Sequence, residues 1–282
     1  MKLVRYGALG QEKPGLIDTE GRIRSLEGEI DDVSGEALAP QAMARLASLD
    51  GSSLPRVDEG VRLGPCVGGV GKIVAVGLNY SDHAKEAGMP IPDEPILFLK
   101  ATSSLSGPYD EIEIPKHSKE TDWEVELGIV IGTRAKYVDE SQSLKHVAGY
   151  FLANDVSERE FQQRRSGQWD KGKGCDTFCP IGPWLVTPDE IADPQNLDLW
   201  LEVNGERHQA GTTATMIFKI PFLISYISHF MTLNPGDLII TGTPPGVGQG
   251  LKPPRFLQEG DVVELGGAGL GAQRQAVRAY RG

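Results

Sequence analysis

Along most of the chain, apolar residues come in short blocks closed by glycine, proline or an acid, and few blocks keep a helical spacing. Blocks at 2–6, 15–18 and 22–26 read as short strands, with a turn at Asp18-Thr19-Glu20-Gly21. The run 73–77 is apolar throughout, as in a buried strand, and further strands are expected at 95–100, 121–132, 149–155, 238–241, 262–265 and 275–280. Two more, 199–203 and 206–209, flank Asn204-Gly205, a dipeptide suited to a type I′ hairpin. Helical spacing appears at 37–49, through Leu38, Ala42, Leu46 and Leu49, and at 217–231, where Pro221 stands near the first turn. A short helix at 81–87 is stopped by Gly88 and the prolines at 90 and 92. Another starts at Ser157, whose spacing to Glu160 fits a capping box, and runs to about 165. The stretch 167–177 has no hydrophobic period and reads as a loop. The glycine-rich run 64–71 marks a boundary between a small leading unit, 1–68, and a larger one, 69–282. Strands outnumber helices and no βαβ alternation persists, so the fold class is α+β.

The polar positions inside these elements raise chemical questions. Alternation along 121–132 puts Asp122, Glu124 and Glu126 on one face and Trp123, Val125 and Leu127 on the other. Carboxylates two residues apart, roughly 7 Å at their roots, repel by on the order of 2 kcal/mol at an effective dielectric of about 20. The face is either solvated or built for a cation. His83 and Glu86 share a helix face, as a surface pair or as a dyad on a closing lid. Lys100 ends a strand, where a solvated cation is the default. Asp155 stands at a strand-to-helix corner, where turn chemistry is the default. Lys173 lies between Gly172 and Gly174, which let a backbone approach a ligand closely. The 242–248 run lacks the Gly-Lys-Ser/Thr of a P-loop, and no dinucleotide fingerprint is present, but its amides and hydroxyls suit a carboxylate.

Composition narrows the classes. The chain has 282 residues, 39% of them hydrophobic, and a net charge of −11, which argues against a nucleic-acid groove or an anionic membrane surface. No apolar run approaches the roughly 20 residues of a membrane span, and the first residues form no signal-peptide core. Cys66, Cys175 and Cys179 make no disulfide framework and no zinc spacing, which fits a reducing cytoplasm.

Taken in order, Gly77-Leu78-Asn79-Tyr80 with His83 and Glu86, Phe98-Leu99-Lys100, Glu124-x-Glu126-Leu127-Gly128, Asn154-Asp155, Gly172-Lys173 and Thr241-Gly242-Thr243-Pro244 resemble the fumarylacetoacetate hydrolase family, over about residues 70–282. The resemblance implies a mixed β-roll of layered sheets with few helices, behind a small N-terminal α+β domain, and a homodimer. It makes Glu124, Glu126 and Asp155 the ligands of one divalent metal. Three hard oxygen donors suit Mg²⁺ or Mn²⁺, with Ca²⁺ as an alternative, better than zinc. It casts His83 and Glu86 as the dyad that activates water, on a lid, and Lys173 as a cation beside the reacting oxygens. Substrate contacts fall to Asn79, Tyr80, Lys100, Arg159, Gln162, Thr241, Gly242 and Thr243. Asp122 has no role in the pattern and is either behind the ligands or solvated. Some members carry Arg where this chain has Leu78, which bears on substrate choice.

The implied activity is metal-dependent hydrolysis of a C–C bond in a small anionic β-diketo acid of the acylpyruvate type, such as a 2,4-diketo-3-deoxy sugar acid, releasing pyruvate through a stabilised enolate. Ureidoglycolate lyase, oxaloacetate decarboxylase and 2-hydroxyhepta-2,4-diene-1,7-dioate isomerase activities are alternatives on the same site. A silent homolog that only binds metal or sugar acid is an alternative of another class.

Overall fold

The computed structural model describes residues 1–281, arranged mainly as two β-sheets with short helices at their margins. The larger sheet has ten strands. Its order is Ile23–Ser25, Lys13–Ile17, Lys2–Tyr6, Cys179–Val186, Val147–Asn154, Val125–Ile131, Leu238–Ile240, Ile73–Gly77 and Ile96–Lys100, with Leu105–Ser106 paired to Cys179–Val186 off this path. The smaller sheet orders Glu206–Thr212, Asp198–Val203, Val262–Gly267, Gly271–Ala279 and Ile112–Ile114. Most neighbours are antiparallel; Leu238–Ile240 runs parallel to Ile73–Gly77. This is the α+β, sheet-dominated class that the block pattern predicts. The three leading strands do not form a free-standing sheet. They extend the large one, with Lys2 opposite Val186 and Leu3 opposite Leu185.

Strand alternation divides the interior into two cores. Val74, Val76, Leu127 and Ile129 face the small sheet, where they meet Leu199, Leu201, Val263 and Leu265. Ile73, Ala75, Val130 and Ile240 face the other way, toward Leu3, Leu16, Leu38 and Leu46 of the leading segment. Trp123 and Val125 lie in the first core, on the side that alternation assigns them. Gly128 stands opposite Phe151, and a Cβ there would come within 2.2 Å of the Phe151 ring. A side chain at that position would push apart the two strands that carry the acids.

Local departures from the expected elements have identifiable causes. The strand expected at 121–132 is interrupted. Thr121–Asp122 pairs with Ser157–Glu158, and the strand resumes at Val125–Ile131. The Asp122 carboxylate accepts from the Trp123 amide at 2.8 Å and the Gly248 amide at 2.7 Å, which turns the chain between the two segments. Ser157 is in that short ladder, and its hydroxyl donates to the Asp155 carbonyl at 2.9 Å. The capping box therefore does not form, and the helix spans Arg159–Arg164. Pro40 and Pro221 each stand in the first turn of a helix, Pro40–Ala47 and Ile220–Phe230, because a residue without an N–H costs nothing there. Asn204 and Gly205 have φ of 54° and 77°, as a type I′ turn requires. The stretch expected as a loop contains one helical turn, Asp170–Lys173. Gly172 is needed there for packing, not for a ligand: a Cβ would stand 2.3 Å from the Glu158 carbonyl oxygen and 2.5 Å from the Gln162 amide nitrogen.

Candidate functional site

The strands Val125–Ile131 and Val147–Asn154 end together, with Val125 opposite Asn154 and Glu126 opposite Ala153. The Asp155 amide donates to the Glu124 carbonyl at 2.8 Å, closing the two ends. Glu124, Glu126 and Asp155 thereby converge: one oxygen of each lies within 4.8 Å of the others, and all three residues are buried. The paired acids do not sit on a solvated face.

Three cations enter this cluster from other elements. Lys173, at the end of its one-turn helix, places its ammonium 2.7 Å from both Glu124 and Asp155. Arg159 reaches Asp122 at 2.8 Å and Glu124 at 2.6 Å. Lys100 approaches Asp155 at 2.6 Å and spends its remaining donors on the Val156 and Lys173 carbonyls. Four buried acids, Asp122 included, thus face three cations, and Glu126 is the acid that pairs with none of them. Among the described residues it accepts only the Gly242 amide, at 2.8 Å. Burial would raise the Glu124 carboxyl, but the charges of Lys173 and Arg159 outweigh it and bring the group down to about 2. Burial, with Asp155 and Glu124 adding their charge, pushes Glu126 well above the carboxylate range. Lys173 is desolvated, yet Asp155 and Glu124 hold it above the usual lysine value.

That imbalance yields a prediction for Glu126→Gln. A raised carboxyl means that the folded, metal-free protein binds this proton more tightly than the unfolded chain. The resulting stability is complete below the unfolded value of about 4.3 and is lost as pH rises through the folded value. In EDTA, the melting temperature of the wild type should therefore fall relative to Glu126→Gln as pH is raised from 4.5 to 8. Parallel curves would contradict the missing charge.

The short helix Ser81–Ala87 lies over the cluster's mouth. His83 Nδ1 is 3.1 Å from a Glu86 carboxylate oxygen, and the Gly246 amide donates to both Glu86 oxygens, at 3.1 and 3.2 Å. The 242–248 run does bind carboxylates, but they belong to the protein: Gly242 holds Glu126, Gly246 holds Glu86 and Gly248 holds Asp122. A cleft of about 770 Å³ joins these parts. Its floor carries Glu124, Glu126, Arg159 and Lys173, and its lid His83 and Glu86. One wall is apolar, from Leu78, Ile96, Phe98 and Trp169, with the last two rings edge to face at 5.4 Å. Leu78 adopts φ of 48°, a left-handed conformation that costs a branched side chain energy and turns the chain from its strand toward the lid.

The residues expected to touch substrate divide into two groups. Arg159, Gln162 and Thr243 line the cleft. Asn79, Tyr80, Lys100, Thr241 and Gly242 are buried behind its surface. Asn79 bonds the Phe218 and Thr241 carbonyls and the Phe218 amide, Thr241 bonds the Leu127 carbonyl, and Lys100 is closed off beneath Asp155. These side chains hold the frame. The Tyr80 hydroxyl is buried without a hydrogen-bond partner among the described residues. Asp122 is fully buried, so the solvated alternative is excluded. It ties Arg159 to the Gly248 and Gln249 amides. Trp169 carries no expectation from the pattern, because a cleft wall leaves no local signature.

Comparison with known proteins gives concordant findings. The profile described as fumarylacetoacetate (FAA) hydrolase C-terminal matches residues 72–278. A Burkholderia multivorans protein, named no more specifically than as a hydrolase, is 60% identical over 282 residues, covering 100% of both chains. A solved fumarylacetoacetate hydrolase from Exiguobacterium antarcticum superposes with a TM-score of 0.86 at 35% identity, covering 99% of this chain and 100% of its own. A solved 2-hydroxyhepta-2,4-diene-1,7-dioate isomerase from Mycobacterium marinum superposes at 0.77 with 32% identity, covering 100% of each.

Proposed function

The chain belongs to the fumarylacetoacetate hydrolase family, and from that membership we propose that it hydrolyses a C–C bond in a small acylpyruvate-type acid with the help of one divalent cation. The observation that carries this reading is the uncompensated Glu126 beside Glu124 and Asp155. Three convergent carboxylates are hard donors, and a site short of one positive charge fits Mg²⁺ or Mn²⁺. A cation there would supply positive charge for the 2-oxo acid end of the substrate and for the enolate charge that develops as the bond breaks.

The chain's own groups do the rest. Glu86 holds the Nδ1 proton of His83 and leaves Nε2 to take a proton from water. The hydroxide adds to the distal carbonyl, and the C–C bond breaks toward the 2-oxo side. The Lys173 ammonium, at the floor of the cleft, stabilises the departing enolate. The proton held by His83 returns to the enolate carbon, giving pyruvate and a carboxylic acid. Arg159 and Gln162 face the carboxylate end, and the wall of Leu78, Phe98 and Trp169 takes the acyl group. A 2,4-diketo-3-deoxy sugar acid is the first candidate substrate. We also propose the division at 68/69, with the family profile beginning at residue 72, and a homodimer.

Isomerisation of an unsaturated dioic acid is the second reading, favoured by the name of the M. marinum relative. It needs the same enolate stabilisation but no attacking water. The test is a panel of acylpyruvates, diketo sugar acids, ureidoglycolate, oxaloacetate and a dienol dioate, with Mn²⁺ and then EDTA. Pyruvate release from acylpyruvates that Mn²⁺ switches on and EDTA switches off is expected. Turnover of the dioate alone would replace hydrolysis with isomerisation.

A further inference from the structure

Gln209 lies in the small sheet, on the strand Glu206–Thr212, yet its side chain is fully buried against the end of the large one. Its oxygen accepts from the Val125 amide at 2.9 Å. Its nitrogen donates to the Thr243 hydroxyl and the Pro244 carbonyl, each at 2.8 Å. The Thr243 hydroxyl in turn donates to the Val125 carbonyl at 2.9 Å. Both donors of the amide and one lone pair of its oxygen are engaged, and a closed ring runs from the Val125 amide through Gln209 and Thr243 back to the Val125 carbonyl.

Val125 separates Glu124 from Glu126, and the ring forms where the sheet stops. On this side Leu238–Ile240 pairs only as far as Gly128, and the Thr241 amide makes one more bond, to Leu127. The next outward-facing backbone groups are those of Val125, and no strand reaches them. Left bare in a dry interior they would not stay fixed. The same strand also seats the lid's receptor: a Cβ at Gly246 would stand 1.9 Å from the His208 carbonyl oxygen, so the Gly246 backbone lies flush on His208 and Gln209 while its amide holds Glu86.

We propose that Gln209 is a positioning residue that completes the sheet at Val125 and so fixes the spacing of Glu124 and Glu126 for a divalent cation, in register with the loop that receives the lid. The role rests on the metal reading above. The test is Mn²⁺ binding to the full-length protein, followed by calorimetry and by the loss of the free-ion spin-resonance signal. Gln209→Met keeps the volume and removes the bonds, and Mn²⁺ affinity should weaken by about tenfold or more. Ser228→Ala is the control. It removes a buried hydroxyl that accepts from the Val138 amide and donates to the Ser225 carbonyl, outside the acid cluster, and should lower the melting temperature without moving Mn²⁺ affinity. Thr243→Val opens the ring at its other corner and should weaken Mn²⁺ in the same direction; it decides the matter if Gln209→Met does not fold. Wild-type protein that takes up no Mn²⁺ removes the metal reading and this role with it. Wild-type protein that binds Mn²⁺, with Gln209→Met binding as tightly, removes the role alone. Equal weakening in Ser228→Ala reduces the effect to general loss of packing and also overturns it.

Discussion

Asp155→Ala is expected to unfold or nearly unfold the metal-free protein. Asp155 is the sole acidic partner of Lys100 and one of two for Lys173, and both ammoniums are buried, exposing 0% and 2% of their side chains. Removing one member of a buried ion pair leaves the other charge uncompensated, at a cost of about 3–5 kcal/mol. That is a large share of the stability of a typical domain, about 5–15 kcal/mol. Added Mn²⁺ should not rescue the variant, because the same substitution deletes a candidate ligand. Asp155→Asn keeps the shape and an acceptor oxygen, and should fold better while still failing to bind metal. Urea denaturation of both variants, with and without Mn²⁺, reads the two effects separately. A denaturation midpoint for Asp155→Ala within experimental error of the wild type would mean that the buried cations find other partners.

The second large effect belongs to the lid. His83→Ala is expected to lower kcat on an acylpyruvate by about a hundredfold to ten-thousandfold, the usual contribution of a positioned general base. It should leave Mn²⁺ affinity and melting temperature close to wild type, because His83 reaches into the cleft from a surface helix and bonds only its neighbour Glu86 and its own turn. Glu86→Gln should lose less, since the amide oxygen can still hold the Nδ1 proton, while charge stabilisation of the imidazolium is gone. Full hydrolytic activity in His83→Ala would remove the water-activation step. It would leave intact an isomerase chemistry that needs no hydroxide.

The sequence carried the parts of this site unequally, and the physical reason is range. Ile73–Gly77, the Asn204-Gly205 turn and the helix opening at Pro221 follow from neighbours in the chain, so their local pattern predicts them. The acid pair was also visible, because alternation is local, and Asp155 came through its place in an ordered set of motifs. Asp122 was not legible. Its partners are Arg159 and the amides of Gly248 and Gln249, far along the chain, and its burial depends on a strand break that the apolar pattern runs through. Ser157 shows the same competition from the other side: a good capping sequence yields when a cross-chain ladder offers the residue a better-satisfied position. The position of Asn79, Tyr80, Lys100, Thr241 and Gly242 behind the cleft surface is not legible for a related reason. A family motif records that a side chain matters near a site, but not whether it faces the ligand or braces the backbone behind it.

The floor of the cleft and its wall share stretches of chain, Phe98 with Lys100 and Trp169 with Lys173, but differ in charge. The floor is an interlocked ionic lattice, in which a change at Glu124, Asp155, Arg159 or Lys173 upsets two ionic partners. Leu78 and Ile96 in the wall carry no charge and form no ion pair with that lattice, while the Phe98 ring lies 5.2 Å from the Lys173 ammonium. Divergence within such a protein is therefore channelled. Lineages can trade wall residues in small neutral steps and explore new acyl groups, while the ionic floor stays locked and keeps them within one kind of chemistry.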